Sequence, residues 1–392
     1  MRRDRKYTHT KERGPRIRKT KGFPLFSVLT GLLLLAGFAL LFLYFGLPLM
    51  DKAIETPLNL SCIGLGEQAG RATPDPAPSP LPAGADRPLF SANLRELQQE
   101  WVVADRQYLT DISVAGETLV AVAGDYYAGD GTAAFSRVLL RDLASGHNSQ
   151  LTVPQSYQNI RFPRLLGDTL VYLDVQGAGG GRLMAYHVRT GKARELKTIH
   201  MGVPPLTAEG TTVCWIERTG TRRYKLFACD VTTGESVTIA MSEDTAFGTS
   251  RPHLLGGLLV WAGEGGSLCS LRLDGGKIEE KRQPVRVHDP QTNGREIAFL
   301  SAPHGPDADL YLLLENGELL CIAADVADFA VGEAFIFYNT QARNYVYFIS
   351  DGSTFCVTRG ADRSLLLAAG GDTVVWQNIT WRDRDVVEYM RL

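Results

Sequence analysis

From about residue 101 onward the chain repeats itself. A glycine followed, after two residues, by apolar strand residues occurs seven times: Gly116-Glu-Thr-Leu-Val120, Gly167-Asp-Thr-Leu-Val171, Gly210-Thr-Thr-Val-Cys214, Gly256-Gly-Leu-Leu-Val260, Gly294-Arg-Glu-Ile-Ala298, Gly332-Glu-Ala-Phe-Ile336 and Gly371-Asp-Thr-Val-Val375. The spacings are 51, 43, 46, 38, 38 and 39 residues. A second signal alternates with it, an apolar strand closed by a turn dipeptide with glycine. Its copies end at Ser145-Gly146, Thr190-Gly191, Thr233-Gly234, Gly275-Gly276, Asn316-Gly317 and Asp351-Gly352. Such dipeptides supply the positive φ that tight hairpins need.

Two hairpin signals alternating at a period near 42 residues describe a four-stranded unit that cannot bury both of its faces alone. Within each unit strand A precedes the first glycine, strand B follows it, strand C precedes the second turn and strand D follows that turn. The 292 residues of 101–392 accommodate seven such units. The fold class read from this pattern is all-β, a seven-bladed β-propeller. Six blades is the alternative, because the first spacing is long and the fifth unit is weak. A β-sandwich does not explain seven similar units. The last unit supplies strands at Ser364–Ala369, Thr373–Gln377 and Val386–Leu392 but no fourth. Trp101-Val-Val-Ala104 is the expected replacement, closing the ring with the N-terminal end of the repeat region.

The Gly-Asp-x-apolar-Val strand, followed by the Thr-Gly hairpin of Leu183–Gly191 and Leu226–Gly234, resembles the repeats of TolB-type β-propellers. The resemblance covers residues 101–392 and implies architecture. Envelope proteins commonly carry such repeats. It carries over no partner and no functional residue, and the N-terminal segment departs from it.

That segment is distinctive. Residues 1–22 hold ten Lys/Arg against Asp4 and Glu12, a net +8, and the formal charge of −2 for the whole chain leaves −10 on the other 370 residues. Phe23–Met50 contains no charged residue. Leu25–Leu47 would span about 34 Å as a helix, against a hydrocarbon core of about 30 Å. The expected organisation is a basic cytoplasmic tail (1–22), a transmembrane helix (23–50) acting as an uncleaved signal-anchor, an extracytoplasmic linker (51–100), and the propeller (101–392). The cations on the N-terminal side predict type II single-pass topology in the cell membrane. The apolar run is too long for a cleaved signal peptide and lacks a small-residue cleavage site after it. Asn59-Leu-Ser-Cys62 is a poor lipobox. Residues 71–88 contain six prolines and predict a semi-rigid spacer. Ser91–Glu100 predicts a short capped helix through Leu94 and Leu97.

A–B and C–D turns share one end of a propeller, and B–C and D–A connections share the other. The second set is longer and more varied here, including 124–131, 154–159, 242–253, 282–291, 302–309 and 378–385. The expected binding surface is therefore that face. Its candidate residues are Tyr126, Tyr127, Tyr157, Arg222, Arg223, Arg251, His253, His304 and Trp381, of types favoured as interface anchors.

Catalytic signatures are missing. There is no Gly-x-Ser-x-Gly elbow, no His-Glu-x-x-His and no paired Cys-x-x-Cys. No catalytic residue, metal or cofactor is assigned. Asp125 and Asp130 lack the oxygen count and spacing of a Ca²⁺ loop. Ser350–Phe355 reads as a hairpin turn rather than a sialidase repeat. Cys214, Cys229, Cys269, Cys321 and Cys356 read as small buried apolar residues, with a Cys214–Cys229 disulfide left open because the two flank one B–C loop. Trp215, Trp261 and Trp376 follow strand B's apolar pair and read as packing residues. The expected function is a membrane-anchored extracytoplasmic module binding an envelope protein or glycan, with no nucleic-acid partner. The alternatives are an enzyme on a cell-surface polymer, using loop acids such as Asp125, Asp307 or Asp385, and a sensor signalling through the basic tail.

Overall fold

The computed structural model describes residues 89–392 apart from 103–106, 126–133, 158, 177–178, 304–307, 341–342, 359–363 and 379–385. The basic tail, the apolar span 23–50 and the Pro-rich linker lie outside the described residues. Among the described residues no helix is long and apolar enough to cross a membrane.

The described residues are all-β, a seven-bladed β-propeller of seven sheets. It opens with β1 (Leu89–Phe90), α1 (Ala92–Glu96) and β2 (Gln99–Val102). Blade 1 is β3 (Gln107–Ala115), β4 (Thr118–Asp125), β5 (Ala134–Asp142) and β6 (Asn148–Leu151). Blade 2 is β7 (Ile160–Leu166), β8 (Thr169–Val175), β9 (Gly181–His187) and β10 (Lys192–Ile199). Blade 3 is β11 (Thr207–Glu209), β12 (Thr212–Arg218), β13 (Tyr224–Asp230) and β14 (Ser236–Ser242). After α2 (Thr245–Thr249), blade 4 is β15 (His253–Leu255), β16 (Leu258–Ala262), β17 (Leu268–Arg272) and β18 (Glu279–Lys281). Blade 5 is β19 (His288–Thr292), β20 (Ile297–Leu300), β21 (Leu310–Leu313) and β22 (Leu319–Ala323). Blade 6 is β23 (Val326–Val331), β24 (Phe335–Thr340), β25 (Asn344–Phe348) and β26 (Thr354–Cys356). Blade 7 is β27 (Ser364–Gly370), β28 (Thr373–Asn378), β29 (Val386–Arg391) and, from the other end of the chain, β2. Each first strand neighbours the first strand of the next blade, and β27 neighbours β3, so the ring is closed.

The seventh blade closes as the spacing predicts. Gln99 pairs with Tyr389 and Trp101 with Val387 in antiparallel register. The segment does more than was read from sequence, because β1 adds in parallel to the outer edge of β26 and gives blade 6 a fifth strand. The helix expected over 91–100 is correspondingly short. Ser91 Oγ accepts from the Leu94 amide at 3.2 Å, but Gln99 and Glu100 are already paired in β2.

The core is not one mass. Seven apolar clusters lie between neighbouring blades, each drawing on two or more strands of adjacent sheets. Strand B is buried on both faces: Leu119 and Ala121 pack toward blade 7, and Val120 and Val122 toward blade 2. That explains the continuous apolar run after each turn glycine, where a half-solvated strand would alternate. Trp101, Trp215, Trp261 and Trp376 are all 0–1% exposed, and Phe337 of blade 6 stacks on Trp376 of blade 7 at 4.9 Å.

Cys214 and Cys229 are free thiols. Cys214 is registered with Ala228, and Val213 with Cys229, so the two sulfurs face different interblade clusters and the disulfide is excluded in this fold. Burial pushes the Cys214 thiol up to about 12.

Six of the seven A–B turn glycines have positive φ, but Gly332 does not. It is required for space, since an added Cβ would sit 2.3 Å from the ring of Phe335, itself 2% exposed. Gly332→Ala is expected to cost about 1–3 kcal/mol by overpacking, measured by denaturant unfolding. A Gly210→Ala change, at a φ of 59° in open space, is expected to cost about 1 kcal/mol by backbone strain alone.

Candidate binding face

The end of the ring that carries the B–C and D–A connections is organised by polar residues at one repeating position, the seventh after the A–B turn glycine. In blade 2 this is Asp174, with no exposed surface. Its carboxylate accepts from the amides of Ser156 (2.7 Å) and Tyr157 (3.1 Å) and from Arg182 Nη2 (2.7 Å). Arg182 also donates to Ser156 Oγ at 2.6 Å, and its guanidinium lies 5.7 Å from the centre of the Tyr157 ring. The loop 152–159 is thus tied to the blade, and Tyr157 is held 38% exposed at its tip.

In blade 3 the same position is Glu217, 1% exposed, which accepts from the His200 amide (2.9 Å) and the Trp215 indole (3.5 Å). In blade 5 it is Ser301, whose hydroxyl accepts from the Asp309 amide at 2.9 Å. The connection before blade 4 uses its own devices. Asp244 caps α2 through the Ala246 amide at 2.6 Å and accepts from Gly265 at 3.0 Å, and Ser250 Oγ accepts from Ala262 at 2.8 Å. These loops leave and enter buried strands, so their amides need partners, and buried carboxylates supply them.

A second polar layer lines the inner strands, three residues before the turn glycine. It comprises Ser113, Arg164, Thr207, His253 and Gln291 in blades 1 to 5. Four of these reach the next blade. Ser113 Oγ donates to Pro163 O (2.9 Å), Thr207 Oγ1 accepts from Leu254 N (2.8 Å), His253 Nδ1 accepts from Thr292 N (3.2 Å), and Gln291 bonds Phe329 O and Val331 N (2.9 and 3.1 Å). Just before this layer, strand A bulges in blades 1, 2 and 5, with Asp111, Phe162 and Asp289 at positive φ. Asp111 uses that geometry to grip Arg161 of the next blade at 2.5 and 3.2 Å and the Phe162 amide at 3.1 Å.

His253 was expected as an exposed residue of the connection 242–253. It is instead the first residue of an inner strand, half-buried, because the connection before blade 4 ends at residue 252. Burial, with the nearby Arg164 guanidinium, pushes its pKa down to about 4. Its Nδ1 accepts a backbone hydrogen bond, which leaves the proton on Nε2. A lowered folded pKa means that the unfolded chain takes up the proton first as pH falls. No penalty exists above about pH 6.5, and stability falls progressively from there to about pH 4. The expected loss at pH 4 is about 3 kcal/mol, read as the slope of thermal midpoint against pH. His253→Gln, which keeps an acceptor for Thr292, is expected to flatten that slope.

Of the other candidates, Tyr157, Arg222, Arg223 and Arg251 are exposed on the long-loop face. Arg251 lies 4.0 Å from Asp289 of the next blade. Arg222 and Arg223 lie in the loop 219–223, closed by Thr219 N donating to Arg223 O at 2.8 Å. Tyr126, Tyr127, His304 and Trp381 lie outside the described residues, as do Asp130, Asp307 and Asp385. The loop asymmetry is uneven. The B–C connection of blade 4 is a single 3-10 turn (Glu264–Gly266), and only Ala324 and Asp325 join blade 5 to blade 6. Among the described residues no group of three His, Cys, Asp or Glu is placed to hold a metal ion. Asp174, Glu217 and Arg182 were missed from sequence. Their signal was an acid ending an otherwise apolar strand B, at Gly167+7 and Gly210+7.

No family model matches the sequence, and no curated protein matches it. Solved structures match in fold. The propeller domain of the Trilobed protease from Pyrococcus furiosus aligns with a TM-score of 0.54 at 13% identity, over 73% of this chain and 94% of that one. Acylaminoacyl peptidase from Pyrococcus horikoshii aligns at 0.55 and 12%, over 71% of this chain but only 50% of the peptidase. Oligogalacturonate lyase from Vibrio parahaemolyticus aligns at 0.51 and 14%, over 74% and 91%. At such identities the likeness establishes the β-propeller alone. The Trilobed protease propeller is described as having an open velcro topology, whereas β2 pairs with β29 here.

Proposed function

We propose that this chain is a recognition module of the cell envelope, a propeller tethered outside the cytoplasm that binds a protein or glycan through its long-loop face. The observation that carries the reading is the preorganised sector over blades 2 to 4. There Asp174 and Glu217 fix the connecting loops from within, while Tyr157, Arg222, Arg223 and Arg251 stand exposed above them. Rigid loops carrying aromatic and guanidinium groups lose little entropy on binding. The tether rests on the charge-free run 23–50 behind a tail of net +8, and the envelope setting on the resemblance of the repeats to TolB-type propellers.

The test is crosslinking in intact membranes followed by capture through a C-terminal tag, comparing wild type with the Y157A/R222A/R223A/R251A variant. A species captured by wild type alone supports the reading, and equal capture by both overturns it. Alkaline extraction with protease accessibility of the propeller tests the tether. Release into the soluble fraction, or protection of residues 1–22 together with the propeller on one side, counts against type II topology.

A further inference from the structure

A cleft that the long-loop reading does not use runs along one blade boundary, from the tight turns that hold Arg272–Gly276, Arg295 and Gly317, past β18, to Arg282. It lies between blades 4 and 5, with a volume of about 540 Å³. Five cations line it, Arg272, Lys277, Lys281, Arg282 and Arg295, against two acids, Glu279 and Glu315. That is a local +3 in a body whose residues 23–392 sum to −10.

The cations are not equivalent. Arg272 is structural, donating to Gly256 O at 3.1 Å and, across the blade boundary, to Gly294 O at 2.7 Å. Lys281 is paired with Glu279 at 3.2 Å. Lys277, Arg282 and Arg295 are exposed, and their side chains make no hydrogen bond or ion pair with the described residues. Three uncommitted cations thus rim one cleft. Its floor is aliphatic, from Leu258, Ile297, Leu313 and Leu314. No aromatic ring lines it.

We propose that this interblade cleft binds an extended acidic peptide segment of a partner protein, with carboxylates on Lys277, Arg282 and Arg295 and an aliphatic side chain on the floor. The volume is that of a site for a few residues. Charge complementarity selects the acid, and the local excess of cations focuses it against a repulsive background. The floor selects a peptide over its anionic rivals. Sugars and bases stack on aromatic platforms, and this cleft offers none.

The test uses the full-length chain in detergent and a fluorescein-labelled peptide, Glu-Leu-Glu-Asp-Leu-Glu, read by anisotropy at low salt. The protein is compared with its K277E/R282E/R295E variant. The basic tail 1–22 is present in both, so the difference between them reads the cleft. The expected result is binding at least about tenfold weaker in the variant, weak binding of the Gln/Asn counterpart peptide, and loss of the difference at high salt. The Gln triple variant at the same positions gives an intermediate loss and serves if the charge reversal fails to fold. Equal affinity of wild type and both variants overturns the proposal, as does equal binding of the neutral peptide. More effective displacement by a uronic-acid oligosaccharide than by unlabelled peptide also overturns it, in favour of a glycan.

Discussion

Asp174→Ala is expected to destabilise the propeller by about 3–5 kcal/mol, the cost of removing one partner of a buried ion pair and stranding the other. The carboxylate has no exposed surface, and three donors converge on it, two amides of the loop 152–159 and the guanidinium of Arg182. Without it the Ser156 and Tyr157 amides must find water, and Arg182, whose Nε already lacks a partner, loses its charge complement. Asp174→Asn keeps the shape and one acceptor oxygen and is expected to cost less. Two measurements check this, thermal or urea unfolding for the global loss and amide exchange at Ser156 and Tyr157 for the local one. If the loop amides keep wild-type protection in the alanine variant, the carboxylate is not what holds them. The same substitution bears on the binding reading, because Tyr157 would no longer be presented on a fixed loop.

The second large effect is expected at Trp101. It is 1% exposed and packs in the cluster shared by blades 7 and 1, with Val375, Val387 and Tyr389 on one side and Leu119 and Ala121 on the other. It is delivered by β2, a four-residue strand. Trp101→Ala is expected to cost about 3–5 kcal/mol in unfolding experiments. Its mode of failure should differ from that of Trp215→Ala, which empties a cluster between two intact blades. Loss of Trp101 releases the clasp, so limited proteolysis should cut the variant first near residues 99–107, before any cut within blades 2 to 5. Cleavage distributed evenly over the ring would show that β2 contributes packing but not closure.

These two residues mark the boundary of what can be read from the chain. Trp101 was legible, because a last unit short of one strand and an apolar segment ahead of the first unit have one economical solution. The turn glycines and apolar runs of strand B were legible too, since each reflects a local requirement, a positive φ or burial on both faces. Asp174 was not. Its two amide partners lie 18 and 17 residues upstream, on a loop whose path depends on the folded blade. The inner-strand bulges were hidden for a similar reason. They shift the register by one residue beside cross-blade pairs such as Asp111 with Arg161, and no local pattern in the sequence announces them. The basic cleft is assembled from residues 272–295 on one blade boundary, and summed charge along the sequence averages it away.

The clasp has a consequence for the order of events during synthesis. β2 is among the first strands to emerge, yet its partner β29 is among the last. The hydrogen bond from Tyr389 Oη to Gln99 Oε1 joins residues 290 apart in sequence. For a flexible chain, closing such a loop would cost about 5 kcal/mol in entropy. The six intervening blades change that cost, because once packed they curve the chain and bring its ends together. Closure is therefore favourable only after the rest of the ring stands. Until then β2 remains unpaired, so the nascent propeller carries one open edge while the blades between are made, joined by the edge of β29 only at the end, and these edges must be shielded from other chains.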